Sequence, residues 1–280
     1  MIISIASGKG GTGKTTVAVN LALSLETTLP VQFLDCDVEE PNACFFLKPR
    51  INDSQTVQLP IPEVLDSRCT YCGKCAEVCA YNAIAVLKDS VLIYPELCHG
   101  CGGCHLLCPE KAIREKGHRI GIIESGVVDR MLFAHGKLDI GQAMSPPLIR
   151  AVKNLIKPDR TVIIDAPAGT SCPVVESVKG SDISLLVTEP TPFGLNDLSL
   201  AVETLKEMGI PIGVVINRSD GEDRLIRDYC QEKKVPVLMS IPMDRTIAEA
   251  YSKGQTIIAT QPSYKERFIN LYGEIQKLIP

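Results

Sequence analysis

The chain has 280 residues, a formal net charge of −4 and 45% apolar side chains. That length allows one large domain or two smaller ones around a substantial core, and that composition excludes a disordered chain. No long Lys/Arg block occurs, so no nucleic-acid partner is expected, and no apolar run approaches the ~18 residues that a membrane span needs.

The N-terminus lacks a basic lead and reads as a strand over Ile2–Ala6, not as a signal peptide. A helix is predicted over Lys14–Leu25 and a strand over Val31–Asp35. After a cysteine-rich block, the stretch from Lys116 to Asp139 is less helical. It holds Ile120–Ile123 and Met131–Ala134, expected as further strands or a hairpin. Next come a helix over Pro147–Ile156 and a strand over Thr161–Asp165. Strands Ile183–Thr188, Ile212–Ile216 and Val237–Ile241 then alternate with helices Leu195–Met208, Asp223–Lys233 and Ile247–Lys253. A last helix is predicted over Tyr264–Ile279. The strands are continuous apolar runs, as expected when helices cover both faces of a sheet. The alternation predicts an α/β fold with a doubly wound, mostly parallel sheet and right-handed crossovers.

Eight of the twelve cysteines form two matching runs. These are Cys69-x2-Cys72-x2-Cys75-x3-Cys79 and Cys98-x2-Cys101-x2-Cys104-x3-Cys108-Pro109. The regular C-x2-C spacing favours metal ligation in a reducing cytoplasm over a disulfide scaffold. The spacing is that of bacterial two-cluster ferredoxins, in which each run gives three thiolates to one cube and its fourth to the other. Two 4Fe-4S clusters are therefore expected. Cys69, Cys72, Cys75 and Cys108 would hold one, and Cys79, Cys98, Cys101 and Cys104 the other. Structural zinc fits two three-plus-one runs poorly. Ala80 stands where the first run would usually carry proline. Residues 59–116 read as an inserted ferredoxin-like α+β domain with a 29-residue internal repeat, its seams at Pro60–Pro62 and Gly117. Residues 1–58 and 117–280 form the sheet domain. Cys36, Cys44 and Cys230 read as small buried hydrophobes. Cys172 is a candidate for a redox or bridging-metal role.

Gly8-Lys9-Gly10-Gly11-Thr12-Gly13-Lys14-Thr15-Thr16 follows a strand and opens a helix, the context of a Walker A loop. Its amides and the helix N-terminus would cradle phosphates, with Lys14 on the β/γ-phosphates and Thr15 on Mg2+. With its second lysine, the loop resembles the deviant Walker A loop of the MinD/ParA family of P-loop ATPases. That family also includes the nitrogenase iron protein and the Mrp-type iron–sulfur carriers. More narrowly, the chain resembles MinD-superfamily ATPases with an inserted ferredoxin domain. The resemblance implies that Lys9 crosses a homodimer interface to the partner's nucleotide. Asp35-Cys36-Asp37 resembles switch I, with Asp37 placing the attacking water and the Mg2+ shell. Val162–Gly169 resembles Walker B with switch II, with Asp165 on Mg2+ and the Gly169 N–H on a γ-phosphate. Asn217, Arg218, Pro242 and Asp244 would surround adenine.

The resemblance implies a Mg2+-dependent ATPase, slow without its partner and working as a homodimer. Coupling of ATP to electron transfer towards a redox partner is the first expectation. Assembly or delivery of an iron–sulfur or related metallocofactor to an acceptor is the second, although the C-terminal C-x-x-C of Mrp-type carriers is absent. A redox-sensing positioning ATPase is the third. The apolar stripe Tyr264, Phe268, Leu271, Tyr272, Ile275, Leu278 and Ile279 carries a weakly basic polar face. It is expected to sit on the sheet and not on a membrane.

Overall fold

The computed structural model describes residues 1–279. β1 (Ile2–Ser7) runs into the glycine loop and α1 (Lys14–Leu25), and β2 (Val31–Asp35) is followed by α2 (Ala43–Leu47). A long strand, β3 (Arg50–Val64), leads to the cysteine block. That block contains α3 (Lys74–Glu77), the hairpin β4 (Ile84–Val86) and β5 (Val91–Ile93), and α4 (Gly103–Leu106). From it β6 (Ile113–Val128) returns to β7 (Met131–Leu138) and α5 (Pro146–Lys153). Then follow β8 (Thr161–Ala168), α6 (Cys172–Val178), β9 (Ile183–Thr188), α7 (Pro192–Glu207), β10 (Ile212–Ser219) and α8 (Arg224–Lys233). The chain closes with β11 (Val237–Pro242), α9 (Arg245–Ser252), α10 (Ile257–Thr260) and α11 (Tyr264–Gln276).

Nine strands form one sheet in the order β11-β10-β9-β1-β8-β2-β7-β6-β3. From β11 to β7 every pairing is parallel; β6 and β3 add antiparallel at one edge. The expected doubly wound sheet is present. Its strands alternate between two buried clusters, which explains their unbroken apolar runs. Ile3, Ile5, Phe33, Phe133 and Ile163 meet α1 and α11 on one face. Ala6, Leu186, Val214 and Ile216 meet α6, α7 and α8 on the other, with Leu34, Ile164 and α5 beyond them.

Tyr264, Phe268, Leu271 and Ile275 of α11 are buried in the cluster that α1 shares, so the C-terminal apolar stripe is a core contact. Among the described residues no helix is long and apolar enough to cross a membrane.

Two features depart from the sequence reading. β3 was not foreseen, because residues 50–56 are exposed and polar; pairing with β6 makes them a strand. β3 and β6 form an antiparallel arm from Arg50↔Val127 to Val64↔Ile113, with irregular register at Ile51/Asp53 and Val57/Gln58, and Pro60 pairs with Gly117 nearer its Val64 end. In addition, α7 starts three residues before the expected Leu195. Pro192 takes its first turn and the Thr191 hydroxyl accepts from the Gly194 amide at 3.0 Å.

Candidate nucleotide and cluster sites

The glycine loop joins β1 to α1 at the C-terminal edge of the parallel strands, where doubly wound sheets bind ligands. Gly13 holds the loop's tightest bend with φ +94°. A Cβ there would lie 2.3 Å from the Asn217 side-chain nitrogen, so only glycine fits. Lys14 is 6% exposed and Thr12 2%. The Thr12 hydroxyl has no hydrogen-bond partner. A buried donor left open at the mouth of such a loop is suited to a phosphate oxygen.

Gly10, Gly11, Gly13, Lys14, Thr15 and Thr16 line a cleft of about 1200 Å3. Asp37 and Glu40 close one side of it; Asn217, Arg218, Pro242 and Asp244 line another. Phe46 of α2 and Tyr251 of α9, ring centroids 4.9 Å apart, line it as well. Their role was invisible in sequence, since no motif marks them.

Three carboxylates gather beside Lys14. Asp35 and Asp165 lie in register on β2 and β8. Both are fully buried. Asp35 accepts from the Asp37 and Ala43 amides, each at 3.1 Å, and so ties the loop after β2 to its strand. Burial and the neighbouring Asp165 charge hold its carboxyl well above the usual range. Both oxygens of Asp165 lack a hydrogen-bond partner. Burial raises its carboxyl to about 7; the nearby Thr15 hydroxyl and Lys14 oppose the rise, and Asp37 adds to it. Asp37 is raised to about 6 by burial, against Lys14.

Lys9 does not line the cleft. Its ammonium pairs with Glu189 at 3.4 Å, and Arg218 pairs with the same carboxylate. Glu189 was missed in sequence because no motif surrounds it. The Asn217 amide donates to the Thr12 carbonyl at 2.8 Å. It therefore braces the glycine loop with one of its two N–H donors. The expected Gly169 contact is also altered: its N–H donates to the Ser7 carbonyl at 2.9 Å and is not free for a phosphate. Asp244 caps α9, accepting from the Thr246 amide at 2.7 Å.

The eight cysteines of the two runs surround two hollows. Cys69, Cys72, Cys75 and Cys108 line one, with Val64 and Ile113. Cys79, Cys98, Cys101 and Cys104 line the other, with Pro60 and Pro62. Each hollow thus takes its fourth cysteine from the other repeat. The repeat extends to the backbone: Tyr71 and Gly100, Gly73 and Gly102, and Asn82 and Lys111 are all left-handed. The Ala83 amide donates to Cys79 Sγ and the Ala112 amide to Cys108 Sγ, each at 3.3 Å. Burial raises the Cys75 thiol and lifts that of Cys104 to about 11, with neighbouring thiols of each hollow adding to the rise. Among the described residues no three His, Cys, Asp or Glu side chains gather around a single ion. A four-iron cube offers a separate iron to each thiolate, so its ligands surround a hollow and not a point.

A model of the CobQ/CobB/MinD/ParA nucleotide binding domain matches residues 3–257. The chain belongs to this family. An uncharacterized protein of Methanocaldococcus jannaschii is 31% identical over 100% of this chain and 98% of its own length. An iron-sulfur cluster carrier protein of Synechocystis sp. is 26% identical over 93% of this chain and 65% of its own. The septum site-determining protein MinD of Pyrococcus horikoshii OT3, complexed with Mg-ADP, has a TM-score of 0.61 at 24% identity. That match covers 99% of this chain and 96% of the other, and it shows a shared fold.

For a member of the MinD/ParA family, the donor set beside Lys14 suits Mg2+, which takes oxygen ligands and keeps several waters. Thr15, Asp37 and Asp165 supply oxygens of that kind: one hydroxyl and two carboxyls. The raised carboxyls set a pH signature. In the unfolded chain Asp165 and Asp37 ionise near about 4; folded and nucleotide-free, they stay protonated up to about 7 and 6. Their contribution to stability is present below about pH 4 and fades as pH rises through these values. The nucleotide-free chain is expected to melt at progressively lower temperature from pH 5 to 7.5. Mg2+ and nucleotide, which need the ionised forms, should flatten or reverse the trend and release protons on binding. Thermal melting across that range with and without Mg-nucleotide checks this; parallel profiles would contradict it.

Proposed function

We propose that the chain is a Mg2+-dependent ATPase working as a homodimer, in which nucleotide state controls electron transfer through an inserted module of residues 59–116. That module would hold two 4Fe-4S clusters, on Cys69, Cys72, Cys75 and Cys108 and on Cys79, Cys98, Cys101 and Cys104. The observation that carries the reading is the pair of four-cysteine hollows at the end of an arm built from β3 and β6, the edge strands of the nucleotide-binding sheet. When bound, such clusters store and release single electrons at potentials tuned by hydrogen bonds to sulfur and by exposure.

The protein's own residues supply the rest. The loop amides and Lys14 neutralise the β- and γ-phosphates, and Thr15 and Asp165 fix the metal shell. Asp37, ionised near neutrality, orients the attacking water and receives its proton. Lys9 leaves Glu189 and reaches the partner's nucleotide as the dimer closes. Lys9→Ala should spare nucleotide affinity and prevent ATP-dependent dimerisation in analytical ultracentrifugation; dimerisation at the unmodified level would contradict that role.

The test of coupling is the midpoint potential of the bound clusters, and the rate at which they reduce an acceptor, with ADP and with a nonhydrolysable ATP analogue. Identical values would sink electron-transfer control. Relatives named iron-sulfur cluster carrier proteins favour a second reading, delivery of a cluster to an acceptor protein. Delivery predicts that iron leaves the chain and appears in an apo-acceptor during turnover. Iron that stays bound while the acceptor stays empty removes that reading.

A further inference from the structure

We infer that Leu59 is a positioning residue that hands movement of the Asp37 loop to the Cys98–Cys104 loop, so that nucleotide acts on one cysteine hollow and not the other. This rests on the proposed coupling of nucleotide state to the module. The path begins at Val38, which follows Asp37 and is 2% exposed. The Val38 carbonyl accepts from the Leu138 amide at 2.9 Å, and Gly136 leaves room for its side chain. One residue on, the Asp139 amide donates to the Ile120 carbonyl of β6 at 2.9 Å. The Asp139 carboxylate accepts two bonds from the Arg119 guanidinium, at 2.8 and 3.2 Å. The loop after β2 is thereby hydrogen-bonded, through the end of β7, to the arm.

Val38, Ile120 and Leu59 share one buried cluster, with Leu138 against it. Leu59, on β3, is 6% exposed, and its other end lies under Gly100. A Cβ on Gly100 would come 2.7 Å from Leu59 Cδ1 and 3.1 Å from the Pro60 carbonyl, at a φ of +63°. Gly100 sits between Cys98 and Cys101, and its amide donates to Cys98 Sγ at 3.5 Å. Among the described residues the other hollow has no such link. It is lined by Val64 and Ile113 at the tip of the arm, neither of which belongs to the Val38 cluster. A close-packed cluster transmits displacement because it has no slack to absorb it.

Two measurements on the cluster-loaded dimer test this, each comparing ADP with a nonhydrolysable ATP analogue. One is amide hydrogen exchange over residues 98–104 and 69–75. The other is the redox-titrated EPR signal of each cluster, with Cys101→Ser and Cys72→Ser assigning the signals. The analogue is expected to change exchange of the 98–104 segment several-fold and to shift only the signal assigned by Cys101. Leu59→Ala should lose that shift while keeping nucleotide affinity and iron content, and Leu59→Met should restore it. If Leu59→Ala fails to hold iron, the exchange pattern of the unmodified chain decides. A response at the Cys72 signal, an equal response at both, or a shift that survives in Leu59→Ala overturns the inference. No response at either hollow in the unmodified chain removes the coupling reading itself.

Discussion

Lys14→Ala is expected to abolish useful nucleotide binding. Lys14 is buried at the start of α1, in the cleft that the glycine loop lines, and it is the charge that opposes ionisation cost at both Asp37 and Asp165. Without it, a polyphosphate would enter a site left with the buried Asp35 and Asp165, the half-buried Asp37 and only partial charges from amides. Hydrogen bonds to charged groups contribute roughly 1.5–3 kcal/mol each, and Lys14 is expected to make at least one to phosphate. A loss of about 3 kcal/mol weakens binding by roughly 100-fold, and the unscreened carboxyls add to it. The fold itself should persist, since α1 holds the sheet through Val17, Leu21 and Leu25 and not through Lys14. Calorimetric titration with Mg-ADP reads the affinity directly, and a change of only a few-fold would show that the loop amides alone hold the phosphates.

Cys108→Ala should empty a hollow on the far repeat. Cys108 belongs to the second run in sequence, yet it lines the hollow of Cys69, Cys72 and Cys75. The expected result is about half the iron per chain, with loss of the signal from the first run and survival of the signal from Cys79, Cys98, Cys101 and Cys104. Cys79→Ala should give the mirror image. Iron analysis with EPR distinguishes this from the alternative, loss of the second run's own signal, which would mean that each repeat ligates a cluster alone. Nucleotide affinity should stay within about two-fold in both variants, since neither cysteine lines the cleft.

The parts of the molecule that were legible in sequence are those fixed by local chemistry. β1, β2, β8, β9, β10 and β11 show as unbroken apolar runs because both faces are covered, and the glycine loop shows because backbone amides can wrap phosphates only where side chains are missing. The repeated cysteine spacing shows because each run keeps the same local turn, and its cysteines line the two hollows. What stayed hidden depends on partners far along the chain. Nothing near Lys9 marks Glu189 as its counter-ion, 180 residues away in sequence. Nothing near Asn217 shows that its amide donates to Thr12. β3 has too little apolar periodicity to announce itself and exists because β6 pairs with it. Val38 and Leu59 read as ordinary core residues, and only the shared cluster and the Gly100 approach set them apart.

β3 is the last strand of the sheet, and its outer side has no neighbour among the described residues. A long edge of this kind is a template on which another chain could add a strand and start aggregation. The Leu65 amide donates inward to the Ala112 carbonyl, so by alternation positions 62 and 60 face outward, and Pro62 and Pro60 leave that side without two successive donors. Irregular register between Ile51 and Asp53 and between Val57 and Gln58 twists the rest of the edge away from a flat template. The lever that would carry the iron therefore resists sticking to its own copies along this edge.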